Sequence, residues 1–117
     1  MPKFESMKKL LLVGLVLIPM ACKDSETLGL LEYRVLSDKP GFAVNYTDDM
    51  LRVQEESVND IVWFTNYTML TGSAVSITAL GNKQAQKLTA EIWYQGVKVA
   101  TDTDSTDFPF VNLVAPL

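Results

Sequence analysis

The 117-residue chain contains no histidine and a single cysteine. Without histidine it lacks the commonest general base, the commonest metal ligand and the usual switch near neutral pH. Ser-His-Asp, Cys-His and zinc chemistry are excluded on the same ground. One cysteine cannot close an internal disulfide, so a domain of this size must be held by apolar burial alone. Basic residues are also few: ten Lys and Arg stand against fourteen Asp and Glu, a net charge of −4. From Cys22 onward the balance is seven against thirteen, or −6. Such a surface offers no electrostatic pull toward phosphate backbones, and no stretch is both basic and aromatic; nucleic acid is not an expected partner.

The chain does have one long apolar run. Lys8 and Lys9 precede twelve apolar residues, Leu10 to Ala21, and Cys22 follows at once. A spanning helix needs about 20 residues to cross roughly 30 Å of hydrocarbon, so twelve suit the core of a secretory signal instead. Pro19 discourages continued helix and presents the following residues in extended form to a peptidase. Leu17-Ile18-Pro19-Met20-Ala21-Cys22 resembles a lipobox, with Pro19 where leucine is typical. In such a motif the cysteine receives a thioether-linked diacylglycerol, is freed by cleavage and is acylated again on its new amino group. Several acyl chains give lasting attachment where one is marginal. The expected organisation is a helical lipoprotein signal over 1–21, a lipidated cysteine and flexible tether over 22–29, and one domain over 30–117. Met7 is better placed than Met1 as initiator, directly before the two lysines.

Lys23-Asp24-Ser25-Glu26 in the tether resembles the charged export signal of surface lipoproteins of Bacteroidota. The expected location is the bacterial envelope, with the lipid on Cys22 in the outer membrane. Both its periplasmic and its outward face are consistent with the tether.

Period-two alternation dominates from Leu30 on. Leu31, Tyr33 and Val35 alternate with Glu32 and Arg34; Phe42, Val44 and Tyr46 with Ala43, Asn45 and Thr47. Further strands are expected from Ile61 through Met69, around Val75-Ile77-Ala79, around Leu88-Ala90-Ile92-Tyr94, over Val97–Thr101 and over Phe108–Val114. Asp38-Lys39-Pro40-Gly41, Asp48-Asp49, Gly81-Asn82-Lys83 and Gln95-Gly96 read as turns, and Asp102–Asp107 as a polar loop. No segment sustains a helical period. About seven short strands at this spacing predict a single immunoglobulin-like antiparallel β-sandwich.

The order Tyr33-Arg34-Val35, Ala43-Val44-Asn45-Tyr46-Thr47, Val62-Trp63, Gly72 to Ala79, Leu88 to Gly96 and Val97-Lys98-Val99 resembles the extracytoplasmic domain of the MmpS-like family. The likeness covers most of 31–114. Here Tyr94-Gln95-Gly96 stands where Val-Asp-Gly is common, the cysteine pair of some relatives is missing, and a lipid replaces their transmembrane anchor. The resemblance implies a membrane-anchored β-sandwich. Members in mycobacteria accompany RND-type lipid and siderophore exporters, so an exporter component or another envelope protein is the expected partner.

Candidate sites outside the anchor are few. Adjacent strand residues face opposite ways, so Trp63 and Phe64 cannot both be core, nor can Trp93 and Tyr94. Trp63, Trp93 and Tyr94 are therefore candidate contacts for a protein partner or, alternatively, for a glycan or lipid. Asp102 to Asp107 lacks the glycine and glutamate of a calcium loop, and no cofactor or metal is expected. Asp104-Ser105-Thr106 fits a short bacterial O-glycosylation pattern, which makes Ser105 a candidate acceptor. Asn45 and Asn66 match the N-glycosylation pattern but read as ordinary strand residues. Glu55-Glu56 and Asp48-Asp49 are adjacent acids in a chain too small for a deep cleft, and no enzyme is expected.

Overall fold

A computed structural model describes residues 27–117. The signal segment, Cys22 and the charged residues of the tether lie outside these described residues. Eight strands follow one another: β1 Leu28–Ser37, β2 Phe42–Thr47, β3 Val53–Val58, β4 Val62–Leu70, β5 Ala74–Gly81, β6 Gln86–Tyr94, β7 Val97–Thr106 and β8 Phe110–Pro116. They form two four-stranded antiparallel sheets, ordered β4-β1-β6-β7 and β8-β5-β2-β3. The sheets pack face to face as an immunoglobulin-like sandwich, in agreement with the alternation in the sequence.

Alternation decides what lies between the sheets. From the first, Leu31, Tyr33 and Val35 of β1 and Leu88, Ala90, Ile92 and Tyr94 of β6 point inward. From the second, Phe42, Val44, Tyr46, Val75, Ile77, Ala79, Val111, Leu113 and Ala115 meet them. Each fully buried aliphatic side chain contributes about 1.5–3 kcal/mol. With no disulfide among these residues, this layer carries the fold.

The strands run longer than the alternation suggests. Asp102 to Thr106, expected as loop, continues β7 and pairs with Gln86 to Ala90. Its side chains are polar because β7 is an edge strand, with little apolar area to bury. The same holds for Gln54 to Ser57 in β3, the edge of the other sheet. At the entering end β1 starts at Leu28, two residues before the expected boundary. Gly29 allows this: a Cβ there would lie 2.6 Å from both Gln95 Cγ and Tyr94 Cζ. The last strand starts at Phe110 rather than Phe108, because Pro109 is buried ahead of it and offers no ladder donor.

Two turns have clear chemical causes. Gln95 (φ 53°) and Gly96 (φ 79°) form the two-residue link between β6 and β7, the positive-φ pair that matches strand twist. Just beyond it, Ile92 pairs with Ala100 but Trp93 with Lys98, so Val99 is an extra, bulged residue. Between β2 and β3, Asp48 Oδ1 accepts from the backbone N–H groups of Met50 (2.8 Å) and Arg52 (2.9 Å). Its Oδ2 accepts from Gln54 Nε2 (2.8 Å) and lies 3.4 Å from Arg52 Nε. The Arg52 amide first, then the other donors, hold this carboxyl down at about 2.

Candidate functional site

The outer face of the β4-β1-β6-β7 sheet gathers the most chemically varied side chains. Register sets its rows: Asn66, Glu32, Trp93 and Lys98 lie across the four strands, then Phe64, Arg34, Glu91 and Thr101, then Val62, Leu36, Thr89 and Thr103. The sequence places Glu32 and Arg34 two apart on one strand, hence on one face. Arg34 donates to both carboxylate oxygens of Glu32, at 2.9 Å through Nε and 3.3 Å through a terminal nitrogen. That hydrogen bond raises the Arg34 pKa. The guanidinium lies 4.4 Å from the centroid of the Trp93 ring, with Lys98 Nζ at 5.7 Å. The Trp93 indole N–H donates to Glu91 Oε1 (2.8 Å), and Glu91 Oε2 lies 3.6 Å from Lys98 Nζ.

Beside this network lies an apolar groove of about 280 Å³. It is bounded by Glu32 and Arg34 and floored by Leu36, Val62, Trp63 and Phe64. Phe64 is 62% exposed, and Leu36 and Val62 are exposed with it. A wider concavity of about 400 Å³ opens on the other sheet among Phe42, Ala43, Ser57, Val58, Leu80 and Asn82, and carries no charged side chain.

The three aromatic candidates part company. Trp93 stands on the outer face, half-buried under its cationic neighbours. Tyr94 points inward and is 6% exposed; its hydroxyl donates to Met69 O (2.9 Å) and pairs with Thr71 Oγ1 (2.9 Å). It is a core residue and not a surface contact. Trp63 also points inward, at the open side between β4 and β3. It packs on Tyr46 at 5.1 Å between centroids and donates its indole N–H to Glu56 Oε1 at 2.6 Å. Burial first, then hydrogen bonds to Tyr67 and Glu56, push the Tyr46 hydroxyl up. Trp63 therefore packs against the core at the sandwich edge, and it lines the groove as well.

Arg34 was not singled out from the sequence, and Phe64 entered there only as the alternative to Trp63 for the outer face. Phe64 could have been found from pairing parity: once Trp63 faces Val35 on the inner side, Phe64 must face outward beside Arg34. Ser105 is exposed on β7, on the same outer face as Trp93, and its neighbour Asp104 is engaged with Thr106 Oγ1 and the Phe110 N–H. Asn45 and Asn66 lie within β2 and β4. Cys22 lies outside the described residues. Among the described residues no group of three or more Cys, Asp or Glu side chains is placed to hold a metal ion.

Comparison with known proteins gives this face no assigned role: no protein family matches the chain, and no curated protein matches it.

Proposed function

We propose that the chain is a lipid-anchored, non-enzymatic protein of the bacterial envelope that serves as a binding or accessory module for a protein partner. The supporting observation is the groove of Leu36, Val62 and Phe64 beside the Arg34–Trp93 stack. Tryptophan and arginine dominate the energetic centres of protein interfaces, and exposed apolar side chains rimmed by charge are their usual setting. An exporter component is the partner class implied by the MmpS-like resemblance. A glycan would need a free indole face and an unoccupied donor. Arg34 covers the Trp93 ring and Glu91 takes its N–H, which favours the protein partner over a glycan stacked on Trp93.

Site-specific photocrosslinking in the native envelope tests the reading. A crosslinker at Phe64 should give a discrete protein adduct that weakens when Arg34 is replaced by alanine. One at Asn45, on the opposite sheet, should not. Equal labelling from both positions, or adducts to polysaccharide alone, would overturn it.

A further inference from the structure

The two ends of the sandwich differ. The end where the chain enters holds Leu28 and Leu30 at the start of β1, Leu70 at the close of β4, Met50 and Leu51 in the β2–β3 turn, and Val97 after the β6–β7 turn. Three backbone bonds tie these elements together: Thr71 N–H to Thr27 O (2.9 Å), Gln95 N–H to Leu30 O (2.9 Å) and Gly72 N–H to Leu117 O (2.7 Å). Tyr33 brings the β2–β3 turn alongside by donating its hydroxyl to Thr47 O at 2.6 Å. All six apolar residues are exposed, Met50 at 66%, Leu51 at 60% and Leu28 at 59%. Asp49 is the exposed acid of the β2–β3 turn, and Arg52 at the close of that turn is exposed with it. At the far end Ile61 and Phe108 are exposed too, but they stand beside Asp60 and Asp107 near the Asp38-Lys39 turn.

We propose that the entering end seats on the surface of the lipid bilayer, with these six side chains in the headgroup and upper acyl region. This rests on the reading of Cys22 as the lipidated residue. Only five steps of chain separate Cys22 from Thr27, a reach of about 16–18 Å when extended. A domain held so closely must turn this end toward the membrane. Apolar faces of peripheral proteins bury about 5–10 Å into the interface, well within that reach. The acidic domain gains nothing from anionic lipid, so the contact is carried by apolar area and is insensitive to salt. The bilayer thus covers a patch that would otherwise face water, and it leaves the groove of Phe64 on the side of the sandwich, free for a partner.

The experiment separates the two readings. The intact mass of the cell-made protein reports acylation of Cys22. In parallel, the chain from Cys22 onward is coupled through its thiol to a maleimide lipid in zwitterionic phosphatidylcholine vesicles, and hydrogen–deuterium exchange is compared with the uncoupled protein. The expected result is exchange several-fold slower at 49–51, 71–73 and 95–97, unchanged at 38–40, 59–61 and 106–108, and unaffected by salt. A Leu28→Glu, Met50→Glu variant with an unaltered circular dichroism spectrum should lose the protection. Uniform exchange in the coupled protein overturns the seating even if the mass shows acylation. An unacylated mass overturns the anchor, and the seating in the cell with it. Protection that grows with protein concentration without vesicles assigns this end to self-association and also overturns the proposal.

Discussion

Arg34 and Trp93 lie in stacking contact across neighbouring strands, guanidinium to ring centroid 4.4 Å, although 59 positions separate them in the chain. The contact exists because β1 and β6 pair with Glu32 opposite Trp93 and Arg34 opposite Glu91. Glu32 holds the guanidinium from one side and Trp93 from the other, so the charge is pre-positioned on an open face. An exposed cation–π contact contributes only about 0.5–1 kcal/mol, so its value to folding is small. That sets up a separation between stability and binding. Trp93→Ala and Phe64→Ala should each lower the urea midpoint little, with a loss of about 1 kcal/mol or less. Each should cost partner capture at least tenfold, the scale of an interface anchor. Parallel loss of stability and capture would reduce both residues to packing.

The most consequential buried polar group is Gln86, fully buried at the start of β6. Its Nε2 donates to Ser37 Oγ (2.9 Å), Gly41 O (3.0 Å) and Lys39 O (3.3 Å), and its Oε1 accepts from the Lys83 N–H (3.0 Å). One amide thereby satisfies the β1–β2 and β5–β6 turns together. Gln86→Leu keeps much of the volume and takes this partner from Gly41 O and the Lys83 N–H, while Ser37 Oγ and Lys39 O keep each other, at about 1–3 kcal/mol for each group left without a partner or water. A total loss of about 2–4 kcal/mol is expected by urea denaturation. A loss below 1 kcal/mol would mean that water takes over the site.

How far the sequence could be read depended on which force was at work. Burial has a period, so Leu31-Tyr33-Val35 and Leu88-Ala90-Ile92 show their core face directly, and the sandwich follows. Edge strands bury little, and β3 and the second half of β7 left no apolar rhythm to read. The site was half legible: parity showed that one of Trp93 and Tyr94 must face outward, but not which one. The choice of Phe64 over Trp63, and its place beside Arg34, needed the register between β1 and β4, a property of pairs and not of either strand. Gln86 was invisible, because a lone glutamine beside a turn gives no sign that a second turn will close on it.

Asp48 makes the β2–β3 turn sensitive to acid. Its carboxyl titrates at about 2 in the fold, against an ordinary 3.8. A depressed value means that the charged clamp stabilises the fold fully above pH 4, less as pH falls below it, and not at all once pH has passed 2. Asp48→Asn should be less stable than the parent at pH 7, and the gap in urea midpoint should close between pH 4 and 2. A gap that stays constant through that window would show that the oxygen's geometry, and not its charge, holds the turn.

Gln95 offers a gain of stability. It occupies left-handed space at φ 53°, followed by Gly96 at 79°, in a two-residue turn whose favoured pair is Asn-Gly. Left-handed backbone costs an ordinary residue about 1–2 kcal/mol, and asparagine recovers part of that through local hydrogen bonding. Gln95→Asn should therefore stabilise by about 0.5–1 kcal/mol, a rise of a few degrees in Tm for a domain of this size. The Gln95 side chain fills the space beside Gly29 through Cγ and Nε2; asparagine keeps the Cγ, gives up the farther amide, and leaves the Gln95 N–H bond to Leu30 O untouched. Gly29→Ala makes the opposite change, driving a Cβ into the same space, and should destabilise the parent. Combined with Gln95→Asn it should cost slightly less than alone, because the Nε2 contact at 2.7 Å is withdrawn while Cγ and Tyr94 Cζ, each at 2.6 Å, remain. Thermal melts of the two single variants and the double variant close this cycle. A coupling of zero would mean that Tyr94 and the Cγ of residue 95 set the limit at Gly29 without the amide.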